Sequence, residues 1–137
     1  CTKIVSRWMI NNRSGHIINI GSIAGDEVYA NGGVYCATKH AVGAITKALR
    51  LELVGYGIKV SLVKPGATNT EFSVVRFKGD RQRADNVYKG YVPLTADDVA
   101  DTIYYVASAP RNVNIAEILV LPLSQASTTV FNRSEVV

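Results

Sequence analysis

The feature that most constrains the fold is a pair of short apolar runs separated by one long helical pattern. His16-Ile17-Ile18-Asn19-Ile20 is mostly apolar, ends in Gly21-Ser22, and reads as a buried strand. Ile58-Lys59-Val60-Ser61-Leu62-Val63 reads as a second strand, stopped by Pro65-Gly66. Between them, from Val34 to about Val54, Ala37, Ala41, Ala44, Ala48 and Leu51 form a small-residue stripe beside Ile45, Leu49 and Leu53, and Gly55 and Gly57 end the pattern. Two apolar stripes predict burial on two sides of this helix. A helix of that length can cross over between parallel strands, so the expected class is α/β, a sheet covered on both faces.

The flanking segments agree. Thr2 to Ile10 reads as a helix with Ile4, Val5, Trp8 and Met9 on one face and no N-cap before it, which predicts that the chain starts inside a domain. Thr68 to Val92 is polar and irregular, with Phe72, Phe77, Tyr88 and Tyr91 spaced through it, as in a long loop or lid. Thr95-Ala96-Asp97-Asp98 resembles a capping box that opens a helix from Asp98 to Ser108. A third strand is expected over Ile115 to Leu121, an apolar run broken only by Glu117. No repeat or linker divides residues 1–137, so a single incomplete domain is expected.

Composition removes several classes of function. Of the 137 residues, 47% are hydrophobic, enough for one compact core. Lys and Arg number 15 against 11 Asp and Glu, a formal charge of +4, but they are scattered, which argues against a nucleic-acid partner. Charges, amides and glycines interrupt every hydrophobic run, so no membrane segment is expected. Cys1 and Cys36 lie far apart and His16 and His40 lack ligand spacing, so neither a disulfide framework nor a metal site is expected. Cys36 reads as a small packed residue, and a reducing cytoplasm is the expected compartment.

The chemistry is concentrated in Ser22, at the end of a strand, and Tyr35-Cys36-Ala37-Thr38-Lys39, at the start of a helix, in an S-x12-Y-x3-K spacing. Four residues along a helix advance the direction by about 400°, so Tyr35 and Lys39 project from one face, one turn apart. A free tyrosine, with a pKa of about 10, is a poor base near neutrality, but an adjacent ammonium stabilises its phenolate. A hydroxyl from Ser22 could hydrogen-bond a substrate oxygen while Tyr35 gives or takes the proton. Taken alone, the Tyr35 and Lys39 spacing favours an ordinary solvated i, i+4 contact, with Ser22 merely part of a loop.

Two flanking segments change that balance. I-N-I-G-S-I-A-G, Ile18 to Gly25, precedes the pair, and V-K-P-G-A-T-N-T, Val63 to Thr70, follows the next strand. In this order they resemble the short-chain dehydrogenase/reductases, and the resemblance runs over nearly the whole chain. It implies the C-terminal part of a Rossmann-like doubly wound parallel sheet. It also implies that Ser22 and Tyr35 act on the substrate oxygen, with Lys39 also holding the nicotinamide ribose. Pro65, Gly66, Ala67 and Thr70 correspond to the family loop at the nicotinamide end, at the strand edge where open α/β sheets bind ligands. Family members commonly form tetramers, and the resemblance makes Thr2 to Met9 and Ala41 to Leu53 candidate interface segments.

A narrower resemblance lies in Thr70 to Asp80, Leu94 to Ala100 and Leu121 to Ser127, which look like the NADP-dependent dehydrogenases of serine, allo-threonine and other 3-hydroxy acids. It implies a small hydroxy acid substrate and NADP as cofactor, with NAD left open. Arg76 could pair with the substrate carboxylate through a two-pronged hydrogen bond, or stand as a solvated surface arginine. The family's T-G-x-x-x-G-x-G turn, which cradles the pyrophosphate, and its N-N-A-G segment do not occur in residues 1–137, so the sheet is expected to be incomplete here, without the N-terminal βαβ units. Two readings stay open: an oxidoreductase, or a catalytically inactive module that serves binding or oligomerisation.

Overall fold

The computed structural model describes residues 1–134; the last three residues of the expected domain lie outside that range. Three parallel strands form one sheet in the order β1 (Gly15–Ile20), β2 (Ile58–Pro65), β3 (Glu117–Val120). Gly15 pairs with Ile58 and Ile20 with Val63, while Leu62 pairs with Glu117 and Pro65 with Val120. Parallel neighbours require crossovers, which α2 (Gly33–Leu53) supplies between β1 and β2, and α5 (Ala96–Ser108) between β2 and β3. Helix α1 (Thr2–Asn12) precedes the sheet.

The pleat of β2 sends alternate residues to opposite layers. Ile58 and Val60 form a core with Leu53 and Leu49 of α2, completed by Met9 and Ile10 of α1 and Ile17 of β1. On the other face Lys59 donates through Nζ to the Ala109 carbonyl at the end of α5, 2.9 Å away. Arg50, in the last turn of α2, donates through Nε to the Val60 carbonyl at 3.0 Å and through Nη2 to that of Ala116 at 2.7 Å. Its planar fork thus ties the main chain of β2 to the residue that enters β3. Thr46 is fully buried in mid-helix, donating to the Val42 carbonyl and accepting from Asn19 Nδ2 of β1.

Several expectations need correction. The segment Thr68 to Val92 is not wholly irregular, for it contains two short helices, α3 (Phe72–Arg76) and α4 (Arg81–Asn86), the second capped by the Asp80 carboxylate on the Arg83 amide. Third-strand pairing covers only Glu117–Val120. The capping box forms with Thr95 and Asp98, but the helix starts at Ala96, because the box residues belong to its first turn. Only one side of α2 packs. Cys36, Thr46 and Leu53 are buried against the sheet, while Ala37, Ala41, Ala44 and Ala48 are exposed, and Ile45 and Leu51 are 57% and 79% exposed. Of the expected apolar face of α1, Met9 alone reaches the core; Ile4 and Trp8 stay in solvent. A helix on one face of a sheet buries one stripe, and nothing in the described chain lies beyond the other.

His16 sits in a polar chain under α5. Ser61 donates its one proton to Asn114 Oδ1 at 3.2 Å, so it accepts from His16 Nε2 at 2.8 Å, which assigns the Nε2–H tautomer. Burial, and secondarily the Lys59 charge, hold the His16 pKa below its ordinary value. A depressed pKa means that the folded state binds this proton less readily than the unfolded chain does. The contribution is then present above the unfolded value of about 6.5 and is lost as pH falls through the folded value. Urea unfolding at neutral and mildly acidic pH should show the natural chain losing more stability on acidification than His16→Gln; equal losses would remove His16 from the acid response.

Candidate active site

β1 ends where the chemistry begins. The Gly21 amide donates to the Val63 carbonyl at 2.7 Å, prolonging the pairing by one residue. Ser22 then adopts extended backbone and caps a 3-10 turn, Ile23–Gly25, its Oγ accepting from the Ala24 amide at 3.1 Å. That bond uses a lone pair, so the Ser22 hydroxyl proton has no partner among the described residues. The turn rests on α2 main chain to main chain, for a Cβ on Gly25 would lie 2.9 Å from the Lys39 carbonyl oxygen. Only glycine permits that approach.

Tyr35 and Lys39 stand on the first turns of α2. Lys39 Nζ lies 5.8 Å from the Tyr35 ring centroid and donates to the Ile20 carbonyl at 3.2 Å. Burial holds the Lys39 ammonium below its ordinary pKa. An ammonium carries three donors, so two remain for other groups. The Tyr35 ring packs 5.5 Å from that of Phe72, the first residue of α3, so the lid segment reaches the tyrosine. Ser22 and Lys39 line one cleft of about 200 Å³ together with Gly43, Lys64 and Glu117.

The loop from Pro65 to Thr70 leaves β2 at the same sheet edge. Its shape is set from β3 and the segment beyond. The Gly66 amide donates to the Val120 carbonyl at 2.8 Å, and a Cβ there would lie 2.7 Å from Leu121 Cδ2. The Ala67 amide donates to Gln125 Oε1 at 2.8 Å, and Gln125 is itself buried. Thr70 is exposed, its Oγ1 accepting from the Phe72 amide at 3.3 Å. Tyr88 fastens the lid by donating to the Thr68 carbonyl and accepting from Ser73 Oγ, each at 2.8 Å.

Arg76 is exposed and makes no salt bridge among the described residues. Its guanidinium stacks over the rings of Tyr29 and Phe77, 5.5 Å from each centroid, which carries it to the segment between Ser22 and Tyr35. Burial pushes the Tyr29 phenol up, against the opposing pull of the Arg76 charge.

Sequence reasoning passed over three residues that the structure brings to this edge. Lys64 Nζ lies 2.7 Å from Asp26 Oδ2 and 3.1 Å from Glu117 Oε2. Burial alone would push the Lys64 pKa down, but hydrogen bonds and charge from both carboxylates outweigh it and raise it. Glu117 goes below the usual carboxylate value, because Lys64, Lys47 and Arg50 offset the effect of burial. The available signal was a lysine and a glutamate inside otherwise apolar runs. Among the described residues, no group of three His, Cys, Asp or Glu could hold a metal, and no helix is long and apolar enough to cross a membrane.

A profile of the short chain dehydrogenase family matches residues 1–80. The chain is 45% identical over 134 residues to the NADP-dependent 3-hydroxy acid dehydrogenase of Schizosaccharomyces pombe, covering 98% of this chain and 52% of that one. It is 40% identical over 114 residues to the serine 3-dehydrogenase of Agrobacterium fabrum, covering 83% and 46%. The closed form of a serine dehydrogenase complexed with NADP+ superposes with a TM-score of 0.90 at 41% identity, over 94% of this chain and 52% of that one. The chain therefore spans about half the length of the relatives it matches. With three parallel strands, helices on both faces and a serine, tyrosine and lysine at the carboxyl edge, the chain belongs to the short-chain dehydrogenase family.

Proposed function

We propose that the natural protein containing this chain is an NADP-dependent oxidoreductase that interconverts a small 3-hydroxy acid and its carbonyl compound. The observation that supports this reading is that Ser22 and Lys39 line one cleft, with Tyr35 one helical turn before Lys39 and its ring 5.8 Å from the Lys39 ammonium. Ser22 donates its uncommitted proton to the substrate oxygen. Tyr35 takes the proton of the alcohol as the carbon is oxidised and returns it in the reverse direction. Lys39, held to the Ile20 carbonyl, sets its ammonium beside the tyrosine ring, 5.8 Å from its centroid, and orients it.

The residues present fit one end of a nicotinamide dinucleotide. Lys39 has two spare donors and the Thr70 hydroxyl proton has no partner among the described residues, whereas Gly66 is closed over by Leu121 and Gln125 and shapes the loop. Tyr35, Lys39, Pro65, Gly66, Ala67 and Thr70 would hold that end. When bound, NADP supplies the hydride acceptor for oxidation and its reduced form the donor for the reverse. Two of the similar proteins are named or described with NADP, which favours it over NAD. Arg76, the last residue of α3 and stacked over Tyr29, pairs with the substrate carboxylate.

NADPH formation should be followed with serine, allo-threonine and 3-hydroxypropionate in the full natural chain. Tyr35→Phe is expected to lower turnover by roughly 10²- to 10⁴-fold. Arg76→Met is expected to raise KM for the hydroxy acid by about ten- to a hundredfold and to leave that for NADP alone. Unchanged turnover in Tyr35→Phe would overturn the mechanism, and an unchanged KM in Arg76→Met would remove the carboxylate contact.

A second reading concerns assembly, favoured by the exposed apolar face of α1 and α2, where Val34 is 83% and Trp8 67% exposed. We propose that a second copy covers this face in a homo-oligomer. Sedimentation of the natural protein should give a species larger than a monomer, and Ile45→Glu with Leu51→Glu should return it to the monomer. A monomeric natural protein would overturn this reading.

A further inference from the structure

We infer that Lys64 is a positioning residue that holds the Ser22 turn in register with the Pro65–Thr70 loop; this rests on the dehydrogenase reading for its effect on turnover. Lys64 is the last residue of β2 before Pro65, and the pleat turns it toward α2, where it is 9% exposed. Two of its ammonium protons go to carboxylates on different elements. Asp26 caps the 3-10 turn that Ser22 opens, and that turn is closed by the Gly25 amide on the Ser22 carbonyl at 2.9 Å and the Asp26 amide on the Ile23 carbonyl at 3.0 Å. Holding Asp26 from Lys64 at 2.7 Å therefore holds every residue of the turn, Ser22 included. Glu117 begins β3, the strand whose Val120 carbonyl receives the Gly66 amide. One ammonium thus links the serine turn to both strands that set the cofactor-side loop.

Buried ion pairs contribute little to stability when compared with apolar side chains of similar volume, so the value of this one lies in geometry. Removing Lys64 strands neither carboxylate, because Asp26 is 45% exposed and Glu117 keeps Lys47 at 3.7 Å and Arg50 at 3.9 Å. Lys64→Met is accordingly expected to fold and to loosen the turn locally.

The test uses the full natural chain with Lys64→Met, Lys64→Arg and Asp26→Asn. Amide hydrogen exchange should speed up by about tenfold or more at Gly25 and Asp26 in Lys64→Met and in Asp26→Asn, with residues 41–53 of α2 unchanged. With a 3-hydroxy acid, Lys64→Met should lower kcat by about ten- to a hundredfold, as a misplaced serine would, and leave KM for NADP within about twofold. Lys64→Arg should recover most of the loss. In a Ser22→Ala background Lys64→Met should lower kcat no further, since a residue that acts through Ser22 has nothing left to position. Unchanged exchange at Gly25 and Asp26, or the same kcat loss in both backgrounds, would overturn the assignment. If the natural chain transferred hydride from none of the three hydroxy acids, the dehydrogenase reading would fall, and the exchange measurement would still decide whether Lys64 holds the turn.

Discussion

The rest of the structure depends on the burial of β2. It lies between two strands and beneath a helix on each face, and Val60, Ser61 and Val63 are cut off from water entirely. A strand in that position cannot leave a polar group unsatisfied, since an unpaired buried donor or acceptor costs about 1–3 kcal/mol. Its three polar side chains consequently each recruit a different element. Lys59 ends on α5, Ser61 joins β1 to the segment before β3, and Lys64 joins the Ser22 turn to β3. The strand that is hardest to hydrate is therefore the one that organises its surroundings.

Chemistry follows from that organisation at the carboxyl end of the sheet. Parallel strands deliver Ser22 and Pro65 to one edge, and α2 starts at that edge because it must run back antiparallel to the strands. Tyr35 and Lys39 fall in its first turns for that reason. The lid is attached from below by Tyr88 and from above by the packing of Phe72 on Tyr35, so its position is coupled to the loop and to the tyrosine at once. The polar anchors lie inside, and the cationic and hydroxyl groups with spare donors face the cleft or solvent.

Much of this was legible in the residues. The apolar run of His16 to Ile20, the helical stripe from Val34 and the run from Ile58 carried the strand, helix and strand, because the period of apolar residues separates helix from strand. Thr95 with Asp98 announced a helix start through the geometry of a capping box. Ser22, Tyr35 and Lys39 were singled out by their spacing together with the family resemblance of the segments that flank them. What escaped was long-range. Nothing local in Lys64 says that its partners are Asp26 and Glu117, and nothing in Gln125 says that it holds the Ala67 amide. The alanine stripe of α2 was read as buried because periodicity distinguishes an apolar face from a polar one, without saying what covers it. The short helices α3 and α4 have too few residues to show a period, so the lid read as loop.

Gly25 touches α2 through the carbonyl of Lys39, the same residue whose ammonium reaches back to Ile20. The offset between the serine turn and the tyrosine helix is thereby gauged by bare peptide units, and no side chain acts as a spacer. Surface positions along α2 can accumulate substitutions without moving that offset, whereas a single methyl group at position 25 would wedge the serine turn and the tyrosine helix apart.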